Sequence, residues 1–427
     1  MTIHLENRLA HRVGSDAEAI ETATRLAARF GANAAERDRG RILPWPEVEQ
    51  FSQSGLWAIT VPRQYGGAEV SVTTLAKVVA LISAADPSLG QLTQNHYAGI
   101  ERLRLHGSEE QKDFFFGRML AGDRFGNATA EPGDKPPRQH QTRVENTADG
   151  LRVTGSKVYS TGALFAHWVP VSAIDDAGEN VTAYVARNAP GLDIRDDWTG
   201  FGQRTTASGT VVLDHVPVES LQIFRNGKSK KALDTANAVS QIVHAAIDLG
   251  IARAALDDTL DFLRRRSHAA RGSGIADATS DPLTLRDIGA GTVAYHGAEA
   301  LTERAARLIE EAQASGQPAD AARALIAVVE AKIATTEVSL AATNKLFELA
   351  GTQSTLEQYG LDRHWRNART HTLHDGVRWK YHAVGQFELN GLLCDPWTLG
   401  HPYSPAPEGA AASDQRGETT EDAVRRP

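Results

Sequence analysis

Leu151-Arg152-Val153-Thr154, Val181-Thr182-Ala183-Tyr184-Val185 and Thr210-Val211-Val212-Leu213 are short runs in which alternation replaces any helical period. Asp149-Gly150, Asp176-Ala177-Gly178 and Pro190-Gly191 punctuate them as turns. Strands this short, spaced this way, predict a small antiparallel barrel or sandwich, here placed over residues 123–232. Outward from it, in both directions, the period becomes that of a helix. On the N-terminal side Ala17, Ile20, Ala23, Ala27 and Phe30 recur at helical spacing, as do Leu75, Val78, Val79, Leu81 and Ile82. Gly55, Pro62, Gly66-Gly67, Pro87 and Gly90 break this zone into several helices. On the C-terminal side Val239, Ile242, Val243, Ala246, Ile247 and Leu249 form one stripe, which Leu256, Leu260 and Leu263 extend. Further long segments run over 291–314 and 321–349, and a Gly/Ser/Asp-containing connection spans 271–282.

The fold class read from this order is α+β, with an N-terminal α-helical domain over 15–122, a central β domain over 123–232 and a C-terminal helical bundle over 233–395. Long Ala-rich helices with broad apolar faces imply a bundle that also buries surface against other subunits. Residues 133–143, rich in Pro, Gln and basic side chains, read as a mobile loop. Residues 404–427 have few large apolar side chains and read as a disordered tail.

The chain has 427 residues, 41% hydrophobic and 23% charged, enough for two or three packed modules. A formal net charge of −8 disfavours nucleic acid or an anionic membrane as the main partner, since both reward a basic surface. Cys394 is the single cysteine, so neither an intrachain disulfide nor a cysteine-based metal cluster can form. Residues 1–12 lack the apolar core of a signal peptide, and no run of about 18 apolar residues occurs. A cytoplasmic protein is expected. Arg271-Gly272-Ser273-Gly274 lacks the strand-before, helix-after setting of a dinucleotide-binding turn and reads as a loop.

Three further clusters carry chemistry-capable side chains. His371 and His374 stand at i and i+3, half of a metal site, but no third ligand is near in sequence and no metal is expected. Arg264-Arg265-Arg266 ends the first long bundle helix, where cations answer the helix dipole or reach an anion. His96, between Asn95 and Tyr97, reads by itself as a packed or surface histidine.

Four stretches together resemble the acyl-CoA dehydrogenases. They are Gly55-Leu56-Trp57-Ala58-Ile59-Thr60-Val61-Pro62 with Tyr65-Gly66-Gly67; Asn127-Ala128-Thr129-Ala130-Glu131-Pro132-Gly133; Gly155 to Gly162; and Gly351-Thr352-Gln353-Ser354 with Asp362 to Arg369. The likeness spans roughly residues 20–395, all three zones in order, and implies the acyl-CoA dehydrogenase fold, with a small central β-barrel and a C-terminal four-helix bundle. Within that family the stretch Arg363-His364-Trp365-Arg366-Asn367-Ala368-Arg369-Thr370-His371-Thr372-Leu373-His374-Asp375, with Gln94-Asn95-His96, resembles the flavin monooxygenase branch of dibenzothiophene monooxygenase and the sulfur-acquisition oxidoreductases.

The resemblance implies a two-component enzyme that transfers oxygen from a flavin C4a-(hydro)peroxide to an organic, organosulfur-type substrate. It implies reduced FMN, rather than FAD, delivered by a separate flavin reductase, and a homotetramer. It places His96, Asn127, Ser160 and His374 as catalytic residues around the flavin ring, with histidine supplying a proton near neutral pH. It assigns cofactor contacts to Asn127, Thr129, Ser160, Thr161, His371 and Asp375, and phosphate contacts to Arg266 and, from a neighbouring subunit, Gln353 and Ser354. Asp375 falls at the register of the dehydrogenases' catalytic Glu, one methylene shorter, which counts against proton abstraction from a thioester. An N-hydroxylase of amines or amino sugars, an FAD acyl-CoA dehydrogenase and an inactive scaffold are the rival readings.

Overall fold

A computed structural model describes residues 10–133, 141–225, 233–266, 269 and 272–393. The expected loop over 134–140, Cys394 and the tail over 404–427 lie outside the described residues. The N-terminal domain holds α1 (Asp16–Gly31), α2 (Ala34–Gly40), α3 (Trp45–Gln53), α4 (Val72–Ala85), α5 (Pro87–His106) and α6 (Glu109–Leu120). Their starts are written locally. The hydroxyls of Ser15, Ser71 and Ser108 accept from backbone amides of the first turn, Gln111 closes a capping box, and Asp86 caps α5 ahead of Pro87.

The middle domain contains β1 (Arg143–Thr147), β2 (Gly150–Lys157), β3 (Trp168–Asp175), β4 (Asn180–Ala186), β5 (Leu192–Ile194), β6 (Val211–Val218) and β7 (Ile223–Arg225), in the order β5-β6-β2-β1-β3-β4-β7. All neighbouring pairs are antiparallel except β1 with β3, which is parallel. The expected barrel is not closed. The short strands β5 and β7 form the two edges, and neither pairs with the other among the described residues. Inward-facing Val, Ala, Leu and Ile from these strands make a core of their own. The base of the loop after Gly133 is stapled, because Glu131 accepts from the backbone of Gln141 and Thr142 and from Lys157. Burial opposes the Glu131 charge, but Lys157 and these amides outweigh it and hold the carboxyl at about 2.

The C-terminal domain is built from α7 (Ala236–Arg266), α8 (Pro282–Ser315) and α9 (Pro318–Ala350), followed by α10 (Asp362–His371) and α11 (Arg378–Asn390). α8 begins earlier than residue 291 because Asp281 caps it and Pro282 occupies its first position. α7 runs along α9 and also against α4 and α5 of the first domain, so one continuous core joins the two helical domains. Gly250 permits the closest part of that contact, since a Cβ there would stand 2.5 Å from the Ala80 carbonyl oxygen. α7 is long and apolar enough to cross a membrane, yet most of it is buried within the protein, as in a core helix.

Candidate active site

The first half of the site lies on the β domain. The segment before the stapled loop runs beside β3, bridging at Phe125 with Trp168 and at Ala128 with Val171. On its other side it touches the turn after β2 so closely that a Cβ on Gly126 would meet the Ala163 backbone at 2.7 Å. Within that turn Tyr159 has φ 52°, a left-handed conformation that costs a bulky residue roughly 1–3 kcal/mol. The twist leaves Tyr159 64% exposed and its neighbour Ser160 fully buried, with the Ser160 hydroxyl lacking any partner among the described residues. Asn127 reaches the Tyr159 carbonyl at 3.5 Å, Thr129 donates to the Asn127 amide oxygen at 2.9 Å, and the Thr161 hydroxyl lies 2.7 Å from that of Ser208. The structure therefore brings Asn127, Thr129, Ser160 and Thr161 together. A buried orphan hydroxyl beside a half-buried amide is the donor set that the heteroatom edge of a flavin requires, so these residues fit that group.

The segment from Gln203 to Gly209 ties this floor to the helices. Gly162 N–H donates to the Thr206 carbonyl, the Thr206 hydroxyl meets that of Ser208, Gln203 N–H donates to Asn367 on α10, and Gln203 Nε2 donates to the Pro87 carbonyl at the start of α5.

The second half of the site is a buried polar chain between α7, α9 and α10. His371 Nδ1 is 2.5 Å from Asp248 Oδ1, and His371 Nε2 is 3.0 Å from His244 Nδ1. Asp248 Oδ2 accepts from Lys332 Nζ at 2.5 Å and from the Thr336 hydroxyl at 2.9 Å. The His374 ring stacks on His244 with centroids 4.3 Å apart. Asp248, Lys332, His244 and His371 are all at most 1% exposed. Burial opposes the Asp248 charge, yet Lys332 and His371 more than compensate and hold its carboxyl well below the usual range. His371 and His374 are both pushed down by desolvation, and for His374 the nearby His371 and Lys332 add to the effect; by surface area, however, His374 is exposed, so the shift is firmer for the buried His371. His244, Asp248 and Lys332 are residues that sequence reasoning missed. For His244 and Asp248 a signal was present: Ser240, Gln241, His244 and Asp248 form a polar stripe at helical spacing in the mostly apolar first half of α7.

His96 has a different occupation from the one expected. It is fully buried in α5, its Nε2 donates to the Trp57 carbonyl at 2.6 Å, and its Nδ1 accepts from Phe125 N–H at 3.0 Å. Trp57, Tyr97 and Phe125 pack around the ring, and burial lowers its pKa to about 3. With both nitrogens bonded to backbone it clips the first domain to the β domain and has no free nitrogen to pass a proton. Asp375 is engaged as well, by the buried Lys380 at 2.5 Å. Gln353 and Ser354 sit in the loop after α9, where the Ser354 hydroxyl donates to the Gly351 carbonyl. The side chain of Arg266 lies outside the described residues. Among the described residues no three acidic, histidine or cysteine side chains are arranged to hold a metal ion.

Models of two domains match this chain: the acyl-CoA dehydrogenase N-terminal domain over residues 16–123 and the acyl-CoA dehydrogenase C-terminal domain over 242–379. The dibenzothiophene monooxygenase of Rhodococcus erythropolis is 32% identical over 397 residues, covering 89% of this chain and 95% of the relative. The probable FMNH2-dependent monooxygenase SfnC of Pseudomonas putida is 28% identical over 382 residues, covering 87% and 95%. The crystal structure of FMN-bound TdsC from Paenibacillus sp. A11-2 superposes with a TM-score of 0.84 at 29% identity, covering 88% of this chain and 98% of that one. Helical domains flanking a sheet, a polar floor on that sheet and this near-complete coverage agree, and the chain belongs to the acyl-CoA dehydrogenase family, among its flavin-dependent monooxygenases.

Proposed function

We propose that the chain is a two-component, reduced-FMN-dependent monooxygenase acting on an organosulfur substrate. The observation that carries this reading is at the position of the dehydrogenases' base. Asp375 is closed into an ion pair with buried Lys380, and the interior beside it holds a histidine chain in place of a free carboxylate. An engaged carboxylate cannot take an α-proton without first losing its partner. The near full-length likeness to dibenzothiophene monooxygenase and to the FMNH2-dependent relative supports the same choice.

Reduced FMN, supplied by a separate reductase, would provide the electrons that activate dioxygen. The chain's own residues do the rest. The Ser160 hydroxyl and Asn127 amide would hold the ring edge, with Thr129 and Thr161 supporting them, and His371 and His374 would serve as the imidazoles of the site. Arg266, with Gln353 and Ser354 of a neighbouring copy, would hold the phosphate in a homotetramer. Exposed Leu283, Leu285 and Val293 on α8 supply apolar surface for that assembly. We place the enzyme in the cytoplasm.

Anaerobic calorimetry tests the cofactor assignment. Reduced FMN is expected to bind at least tenfold more tightly than FAD, and acyl-CoA thioesters are expected to leave the flavin spectrum unchanged. Tight FAD that bleaches on adding an acyl-CoA would overturn the reading and make Asp375 the base.

A further inference from the structure

We propose that Asp248, steadied by Lys332 and Thr336, fixes the tautomers of two histidines in series, so that His244 presents a bare Nε2 to the reactants as a neutral hydrogen-bond acceptor. An ionised Asp248 has no proton to donate, so His371 Nδ1 must carry the hydrogen of their 2.5 Å contact. A neutral His371 then has a bare Nε2, and the hydrogen in its 3.0 Å contact with His244 must sit on His244 Nδ1. That leaves His244 Nε2 as a lone pair, and this buried atom has no partner among the described residues. Its surroundings also keep the ring neutral. Desolvation comes first, and the ammonium groups of Lys332 and Lys380 further disfavour a positive charge there.

Where the lone pair faces follows from helix register. Thr235 bonds Glu101 and Ser240 bonds Gln94, so α5 and α7 run antiparallel in contact. Continuing by one turn sets Gln91 across from His244. Gln91 Oε1 and both polar atoms of Gln241 are buried without partners too, and Leu92, next along α5, approaches the Gly162 turn that carries Ser160. The bare nitrogen therefore belongs to a polar lining shared by α5 and α7 that borders the proposed flavin floor. An acceptor held there suits a substrate or cofactor N–H or O–H, and the neighbouring amides suit a reactant with polar groups. His244 is the contacting residue, and Asp248, Lys332 and Thr336 are positioning residues.

The inference rests on the monooxygenase reading for its purpose but not for its first test. In ¹⁵N-histidine-labelled protein, free of flavin and substrate, two-bond ¹⁵N–¹H correlation at pH 7 reports each tautomer. The signal lost in His244→Gln, and again in His244→Leu, is expected to show Nδ1–H and a bare Nε2. A Nε2–H or doubly protonated ring at that position would overturn the proposal, whatever the enzyme catalyses. The second test is functional. His244→Leu is expected to lose tenfold or more of product per oxygen consumed, diverting it to hydrogen peroxide, with partial rescue in His244→Gln, whose amide oxygen can accept. Equal yield per oxygen in wild type and His244→Leu would remove the contact role. A wild type that forms no oxygenated product while showing the expected tautomer would instead refute the monooxygenase reading alone.

Discussion

Two buried histidine sites in this chain look alike by exposure and differ entirely in what their nitrogens do. His96 ends in backbone at both nitrogens, one to Trp57 and one to Phe125, inside a ring of aromatics. His244 ends in another histidine at one nitrogen and has no partner among the described residues at the other, with a carboxylate and an ammonium behind it. The first arrangement satisfies a ring completely, so it holds two domains together. The second leaves a polar atom unsatisfied at a cost, which a fold tolerates where a ligand completes it. Burial alone therefore does not identify a functional histidine. The fate of its second nitrogen does.

The largest expected effect breaks the buried chain at its base. Lys332→Met strips Asp248 of its cation and should destabilise the protein by about 3–5 kcal/mol in denaturant unfolding. Adding Asp248→Asn to it should restore much of that loss, since the isolated charge is then gone. Recovery with the double variant would show that the energy lies in the uncompensated charge rather than in packing.

His96→Ala should cost roughly 2–4 kcal/mol through two lost hydrogen bonds and a cavity. Its pH signature separates it further. The folded pKa of about 3 lies below the unfolded value near 6.5, so the unfolded chain binds the extra proton between them. Stability from this term is complete above pH about 6.5 and declines as pH falls toward 3. The variant should lose that slope, ~1.4 kcal/mol per pH unit, over the same window. An unchanged slope would mean that His96 is not held neutral.

Ser160→Ala is expected to leave the unfolding midpoint nearly unchanged, because its hydroxyl has no partner among the described residues. Reduced FMN binding should weaken about fivefold to tenfold, the worth of one hydrogen bond. The smallest effect belongs to Arg265→Ala. Its 2.7 Å pair with Asp261 is similar in length to the Lys332–Asp248 contact but lies in solvent, so its removal should be barely detectable by denaturant midpoint.

The three zones were legible because each writes its period locally, as in Val239 to Leu249 or Val181 to Val185. Closure of the sheet was not, since whether β5 meets β7 is decided by tertiary geometry over strands of three residues. Asn127, Thr129, Ser160 and Thr161 were named through the resemblance and lie close together in the fold, while their contact with a flavin belongs to the proposal. His96 was misplaced because a motif gives a residue's helix but not the face it occupies. Asp248 and Lys332 escaped notice because they lie on different helices, each among other polar residues. Their meeting depends on α7 packing against α9, 84 residues apart in the chain.

The central claim is tested most directly with ¹⁸O₂, reduced FMN regenerated by an added reductase, and a panel of sulfides, sulfones and sulfinates. The account predicts one ¹⁸O atom in an oxygenated organosulfur product, with the other released as water. Recovery of all consumed oxygen as hydrogen peroxide, with no labelled product across the panel, would contradict it.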